Sequence, residues 1–283
     1  MAWYDKYMTI YGKPFSEVPQ EVIDEIREKL ALQQSSEPLV SIVVCAYNEG
    51  TRLAANLWSL SELRSTYPLE IIGVNNNSND STEEIYKTLG VTYFNETRQS
   101  PGYARQCGLQ NAKGKYHFYI DADTLYPVNY VNKLMEKLTQ QDVACVSTFW
   151  SFYPDKTHSL FSLYIYEFIR DFFLWIQHFN RPELCVRGMV MAFKADYAKK
   201  VKIRTDIRRG EDGSLALELK RFGKISFVYN RKIRPITGYG TIGQVSLWNT
   251  FWNHTKIQLK GIFRIFYKVD HYEDQEENLV KNK

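Results

Sequence analysis

Cysteine is scarce and scattered in this chain. Cys45, Cys107, Cys145 and Cys185 lie far apart with no Cys-x-x-Cys pair, which excludes a zinc knuckle and a dithiol redox motif and leaves reduced, buried thiols. The N-terminus lacks the basic, apolar, small-residue succession of a secretory signal, so the chain reads as cytoplasmic. No long hydrophobic run is free of charge. The most apolar stretch, residues 160–179, is broken by Glu167, Arg170 and Asp171, each costing roughly 2.5–3.5 kcal/mol at a bilayer midplane, which excludes a spanning helix. Acid is missing from residues 231–269, where seven Lys or Arg stand without a single Asp or Glu. A net charge of +4 is nevertheless too small for wholesale nucleic-acid binding.

Hydrophobic periodicity supplies the fold. Val18, Val22, Ile23, Ile26 and Leu30 recur at helical spacing over residues 17–34, with Ser16 available as a cap, and a polar stretch ending at Pro38 reads as a linker. Residues 39–46 form a nearly continuous β-branched run, as expected of a central parallel strand covered on both faces. Further strands are expected at 69–74, 91–94 and 116–120, alternating with helices, one of them at 104–112. The alternation predicts an α/β domain with a mostly parallel, Rossmann-like sheet flanked by helices. Three successive strands end in Tyr47-Asn48-Glu49, in the run from Asn75 to Asp80, and in Asp121-Ala122-Asp123. Ligands of open α/β sheets bind outside the carboxyl ends of strands, so one polar crevice can hold all three.

Asp121-Ala122-Asp123 carries chemistry only through its context. Two carboxylates on a tight turn after an apolar strand can hold Mg²⁺ or Mn²⁺ while leaving positions for phosphate oxygens; an Asp-capped turn leading to Pro127 is the plainer reading.

Four segments in fixed order, Val44-Cys45-Ala46-Tyr47-Asn48-Glu49, Asn75-Asn76-Asn77-Ser78-Asn79-Asp80, Gly102-Tyr103-Ala104-Arg105-Gln106-Cys107-Gly108 and Ile120-Asp121-Ala122-Asp123, resemble the donor-binding half of family 2 glycosyltransferases, which have the GT-A fold. Arg187-Gly188-Met189-Val190 and Gly210-Glu211-Asp212-Gly213 resemble the acceptor side, so that the likeness covers residues 40–240. The resemblance implies that Ala46, Tyr47, Glu49 and Asn76 hold the nucleoside, that Asp121, Ala122 and Asp123 meet ribose and metal-diphosphate with Asp123 as metal ligand, and that Gly188, Met189 and Glu211 line the acceptor side. It makes Asp212 the general base of an inverting transfer from a nucleotide sugar to a glycan or lipid-linked hydroxyl, in cell-surface polysaccharide or glycolipid synthesis. Arg105 is expected either near the diphosphate or as a surface helix cation. Two departures stand out: Asn75-Asn76-Asn77 replaces acidic residues, leaving uracil the first choice of base, and Arg234 stands where many relatives place a metal-binding His, so that it could neutralise the diphosphate directly.

The chain therefore divides into an N-terminal helical extension (1–37), a GT-A domain (38–240, with a nucleotide half to 125 and an acceptor half from 126) and a C-terminal extension (241–283). From Trp248 the C-terminal pattern is an aromatic-apolar helix edged by Lys256, Lys260, Arg264 and Lys268, suited to an anionic membrane surface or to packing on the domain. Residues 160–179 could join that surface. The Gly238–Gly243 dinucleotide-like string has too little chain after it for a βαβ unit. The alternatives in view are a nucleotidyltransferase, which would need a basic Gly-rich phosphate loop where Tyr47-Asn48-Glu49-Gly50 stands, and a non-catalytic sugar-binding module. Oligomeric state is not encoded in any motif.

Overall fold

The computed structural model describes residues 2–155, 158–238 and 278–280. The C-terminal amphipathic helix expected from Trp248, all but the first glycine of the Gly238–Gly243 string and the acidic stretch 270–277 lie outside the described residues. The elements in chain order are α1 (Asp5–Met8), α2 (Gln20–Gln33), β1 (Val40–Ala46), α3 (Leu53–Ser61), β2 (Leu69–Asn75), α4 (Thr82–Thr88), β3 (Thr92–Asn95), α5 (Pro101–Asn111), β4 (Tyr116–Asp121), β5 (Thr124–Leu125), α6 (Tyr130–Leu138), β6 (Val143–Thr148), β7 (Ser151–Phe152), α7 (Leu160–Asn180), β8 (Met191–Lys194), α8 (Ala195–Ala198), α9 (Glu211–Leu219), β9 (Lys224–Val228) and β10 (Ile236–Thr237).

Seven strands form one sheet in the order β3-β2-β1-β4-β8-β6-β9, while β5, β10 and β7 make a small second sheet. Only β8 runs antiparallel to its neighbours in the large sheet. The apolar run of β1 is at its centre, between β2 and β4. Burial on both faces explains why it carries no alternation. Helix α5 comes so close to β1 that a Cβ at Gly108 would strike the Val43 side chain. Glycine there allows the helix that bears Arg105 to lie flat on the sheet.

The segment before residue 38 packs into the same core: Tyr7, Ile10, Phe15, Val18, Ile26 and Leu30 share one apolar cluster with Val40, Leu57 and Phe118. Ser16 does not cap α2. It lies in a 3₁₀ turn (Phe15–Glu17), and the helix starts after Pro19 with no side-chain cap, proline supplying the fixed φ of a helix entry. Among the described residues no helix is long and apolar enough to cross a membrane.

One buried group makes stability depend on pH. His117 on β4 is fully buried against Phe193, and burial, with Lys199 adding, lowers its pKa from 6.5 to about 4. The unfolded chain then binds the proton that the folded chain refuses, so stability is complete above pH 6.5 and falls as pH drops toward 4. The shift corresponds to roughly 3 kcal/mol. We expect the urea midpoint to fall between pH 7 and pH 4, and His117→Leu to lose that part of the slope; an unchanged slope would show that other groups carry it.

Candidate functional site

The register of the sheet assembles the crevice. Ala46 pairs with Asn75 and Cys45 with Asp121, so the three polar strand ends emerge side by side. The first two loops are knitted together: Asn48, held in the left-handed region at φ 53°, donates its backbone N–H to Ser78 Oγ at 3.0 Å, and Gly50 N–H donates to Asp80 Oδ2 at 2.8 Å. Tyr47 stands nearly half exposed at the rim, while Ala46 and Ala122 are buried. Asn76 does not offer its amide donors to the crevice. Buried, it donates to the carbonyls of Glu96 (3.2 Å) and Arg98 (2.8 Å) and so shapes the loop before α5.

The turn after β4 is held from three directions. Asn56 of α3, fully buried, donates to the carbonyl oxygens of Thr124 (2.6 Å) and Asp121 (3.2 Å). Tyr11 donates its hydroxyl to the Asp123 carbonyl at 2.7 Å. Thr124 Oγ1 donates to Asp123 Oδ1 at 3.0 Å. Arg52 reaches Glu49 at 2.7 Å and lies 3.9 Å from Asp123 Oδ2. Sequence reasoning missed all three anchors. Asn56 left a trace, a polar residue inside the apolar helix Leu-Ala-Ala-Asn-Leu-Trp, and Arg52 lies one helical turn after Glu49; Tyr11, 112 residues from its partner, left none.

Arg105 is the hub. It is not a surface cation: it is buried, ion-paired with Glu211 and 3.4 Å from Asp121 Oδ1. Burial works against its charge, but Glu211, Asp121 and Asp212 more than offset this and raise its pKa. Gly188 makes the space, since a Cβ there would overlap the guanidinium. Asp212, at the start of α9, accepts from the Gly188 N–H at 2.7 Å (Oδ2) and from the Gly213 N–H at 2.8 Å (Oδ1). Met189 is tied in by the Tyr126 hydroxyl, which donates to its carbonyl at 2.7 Å. Glu211 is itself buried and faces Arg105 rather than the open crevice. Arg234 is also placed elsewhere, buried and paired with Asp171 of α7 at 2.5 Å.

The crevice thus collects Glu49, Asp121, Asp123, Glu211 and Asp212 against Arg52 and Arg105. Burial pushes the Glu49 carboxyl up to about 8, with Asp123 and Asp121 adding and Arg52 opposing. Desolvation by the crevice walls, with Asp123, Glu211 and Asp212 adding against Arg105, pushes Asp121 up to about 6, although its side chain stays 42% exposed. These carboxylates are hard oxygen ligands of the kind Mg²⁺ or Mn²⁺ takes, but among the described residues no three His, Cys, Asp or Glu are grouped so as to hold a metal ion by themselves. Asp121 faces Arg105 and Glu49 pairs with Arg52, whereas Asp123 accepts from Thr124 on one oxygen and has only the more distant Arg52 beside the other.

A mostly parallel α/β sheet whose strand ends share one acidic, arginine-bridged crevice is of the open α/β class that takes ligands at the carboxyl ends of its strands. The Glycosyl transferase family 2 model matches residues 41–201, more than half of the chain, and the chain belongs to that family. It is 33% identical over 135 residues to an uncharacterized glycosyltransferase of Rickettsia prowazekii (strain Madrid E), covering 46% of this chain and 42% of that protein. It is 25% identical over 236 residues to glycosyltransferase GlyA of Streptococcus pneumoniae serotype 4, covering 77% of this chain and 33% of that one. The chain therefore spans less than half the length of these curated relatives. Among solved structures it is similar to mannosyltransferase PcManGT from Pyrobaculum calidifontis in complex with GDP-Man and Mn²⁺ (TM-score 0.56, 18% identity, 88% of this chain and 73% of that chain). It is also similar to S. aureus TarS 1–349 in complex with UDP (TM-score 0.51, 15% identity, 70% and 60%). The fold is GT-A, as the resemblance implied.

Proposed function

We propose that the protein is an inverting, metal-dependent glycosyltransferase that moves a sugar from a nucleoside-diphosphate sugar, UDP being the first choice, to a hydroxyl of a glycan or lipid-linked acceptor in cell-surface polysaccharide or glycolipid synthesis. The observation that carries this reading is Asp212: two backbone N–H groups fix its carboxylate, and Arg105 links its neighbour Glu211 to Asp121 on the donor side.

A sugar hydroxyl is a poor nucleophile. Asp212 accepts its proton as the oxygen attacks the anomeric carbon and the bond to the diphosphate oxygen breaks, with the electron pair leaving on the nucleotide. Attack from the face opposite the leaving group inverts the centre. Asp123 would hold Mg²⁺ or Mn²⁺, which supplies charge neutralisation for the diphosphate in a crevice that otherwise repels it. Tyr47 at the rim and the interlocked 46–50 and 75–80 loops would hold the nucleoside. The GDP-Man and UDP complexes of the two structural neighbours support a nucleotide-sugar donor and admit either base. The cationic run from Arg231 supports a place against the anionic inner face of a membrane.

Nucleoside diphosphate release should be measured with UDP-glucose, UDP-galactose, UDP-N-acetylglucosamine and GDP-mannose. One donor should turn over, stop in EDTA and resume with Mn²⁺. Pyrophosphate release from UTP and a sugar 1-phosphate, with no turnover of any nucleotide sugar, would replace this reading with a nucleotidyltransferase.

A further inference from the structure

Helix α7 is inverted relative to an ordinary surface helix. Its buried face carries Leu163, Glu167, Asp171 and Leu174. Its outer face carries Phe161, Tyr164, Phe168, Phe172, Trp175 and Phe179, spaced by three or four residues as one helical stripe and each 45–75% exposed. The acids of the helix are turned inward and occupied: Glu167 accepts from Phe152 N–H and Ser151 Oγ at 2.9 Å, and Asp171 pairs with Arg170 and Arg234. Arg170 lies over the Trp150 ring. The stripe itself bears no charge, and six large rings in one patch exceed what a free aqueous surface ordinarily shows.

The edge of the stripe is cationic. Arg231 lies over the Tyr164 ring at 4.9 Å and reaches inward to Glu167 at 3.4 Å while its side chain stays 46% exposed; Lys232 follows, exposed, and these two residues open the acid-free stretch 231–269. An interface between two copies of this face would have to match such cations with its own acids, and those of α7 are buried. Lipid phosphates meet the need, and Tyr and Trp suit the boundary between headgroups and acyl chains.

We propose that the outer face of α7 docks on an anionic lipid bilayer, its rings entering the interface and Arg231 and Lys232 meeting lipid phosphates. The 3₁₀ turn Pro182–Cys185 connects α7, from its buried side, to the crevice: Cys185 Sγ reaches the Leu174 carbonyl at 3.3 Å, and Glu183 lies beside Gly213, next to Asp212. Docking brings the acceptor side to the membrane. That last step rests on the proposed glycosyl transfer; the docking does not.

The full chain should be floated with phosphatidylcholine vesicles, with and without phosphatidylglycerol, at low and high salt, and its mass in solution determined by analytical ultracentrifugation. We expect binding to the anionic vesicles, weakened about tenfold or more by Phe168→Asp with Phe172→Asp, weakened and made less salt-sensitive by Lys232→Glu, and nucleotide release unchanged in both. Three results would overturn the docking: no binding by the unaltered protein, undiminished binding by the double variant, or a dimer that this variant dissociates. Vesicle binding without nucleotide release keeps the docking and removes glycosyl transfer; release without binding does the reverse.

Discussion

Asp212→Asn should lower the rate of sugar transfer by about 10²–10⁴-fold, the usual contribution of a positioned general base. The carboxylate uses one lone pair of each oxygen on the Gly188 and Gly213 N–H groups, so it keeps acceptor capacity toward a sugar hydroxyl while its orientation is fixed. Asparagine can satisfy only one of those N–H groups with its carbonyl and cannot take up a proton. The lost backbone contact costs about 1–3 kcal/mol of stability, which a urea midpoint measures separately from turnover. Donor binding, read by calorimetry with the nucleoside diphosphate, should stay within a fewfold of the unaltered protein because the donor strand ends are untouched. Turnover within tenfold of the unaltered protein would remove Asp212 from the reaction.

Removing the hub has the largest expected effect on stability. Arg105→Met leaves Glu211 buried beside Asp212 with no cation, and breaking one side of a buried ion pair costs about 3–5 kcal/mol. The pKa of Glu211, already raised by burial against the pull of Arg105, would rise further, so the variant should recover stability as pH is lowered. Glu211→Gln in the Arg105→Met background should restore much of the loss, because the uncompensated charge is gone; additive losses in that double variant would show that packing rather than charge dominates. Unfolding midpoints of the four proteins decide between these.

The β3-β2-β1-β4 part of the large sheet was legible, most clearly where burial on both faces leaves a direct mark, as in the nearly continuous apolar run 39–46, whereas β6 and β9 were not read as strands. The acidic motifs were legible as positions but not as partnerships. Arg105 was left open between a phosphate contact and a surface cation, and nothing local to its helix shows that Gly188, 83 residues downstream, carves the space for its guanidinium. Arg234 was read against the diphosphate, yet the structure commits it to Asp171, an acid noted in the sequence only as an interruption of an apolar run. Asn76 had the right chemistry for a base edge and spends its donors on the backbone of its own neighbourhood. In each case the residue type states what a side chain can do, whereas the competing long-range partner decides what it does.

The Tyr11 hydroxyl on the Asp123 carbonyl ties the segment before the family match to the turn after β4. The family match covers residues 41–201, so a fragment trimmed to those limits would keep Glu49, Asp121 and Asp123, lose Glu211 and Asp212, and lose one of the three anchors of the turn that presents Asp123. Such a fragment would present the Asp123 carboxylate on a turn that has lost the Tyr11 contact to its backbone. The structural unit that holds this crevice is therefore larger than the matched span, because the segment before residue 38 shares its core and anchors one of its turns.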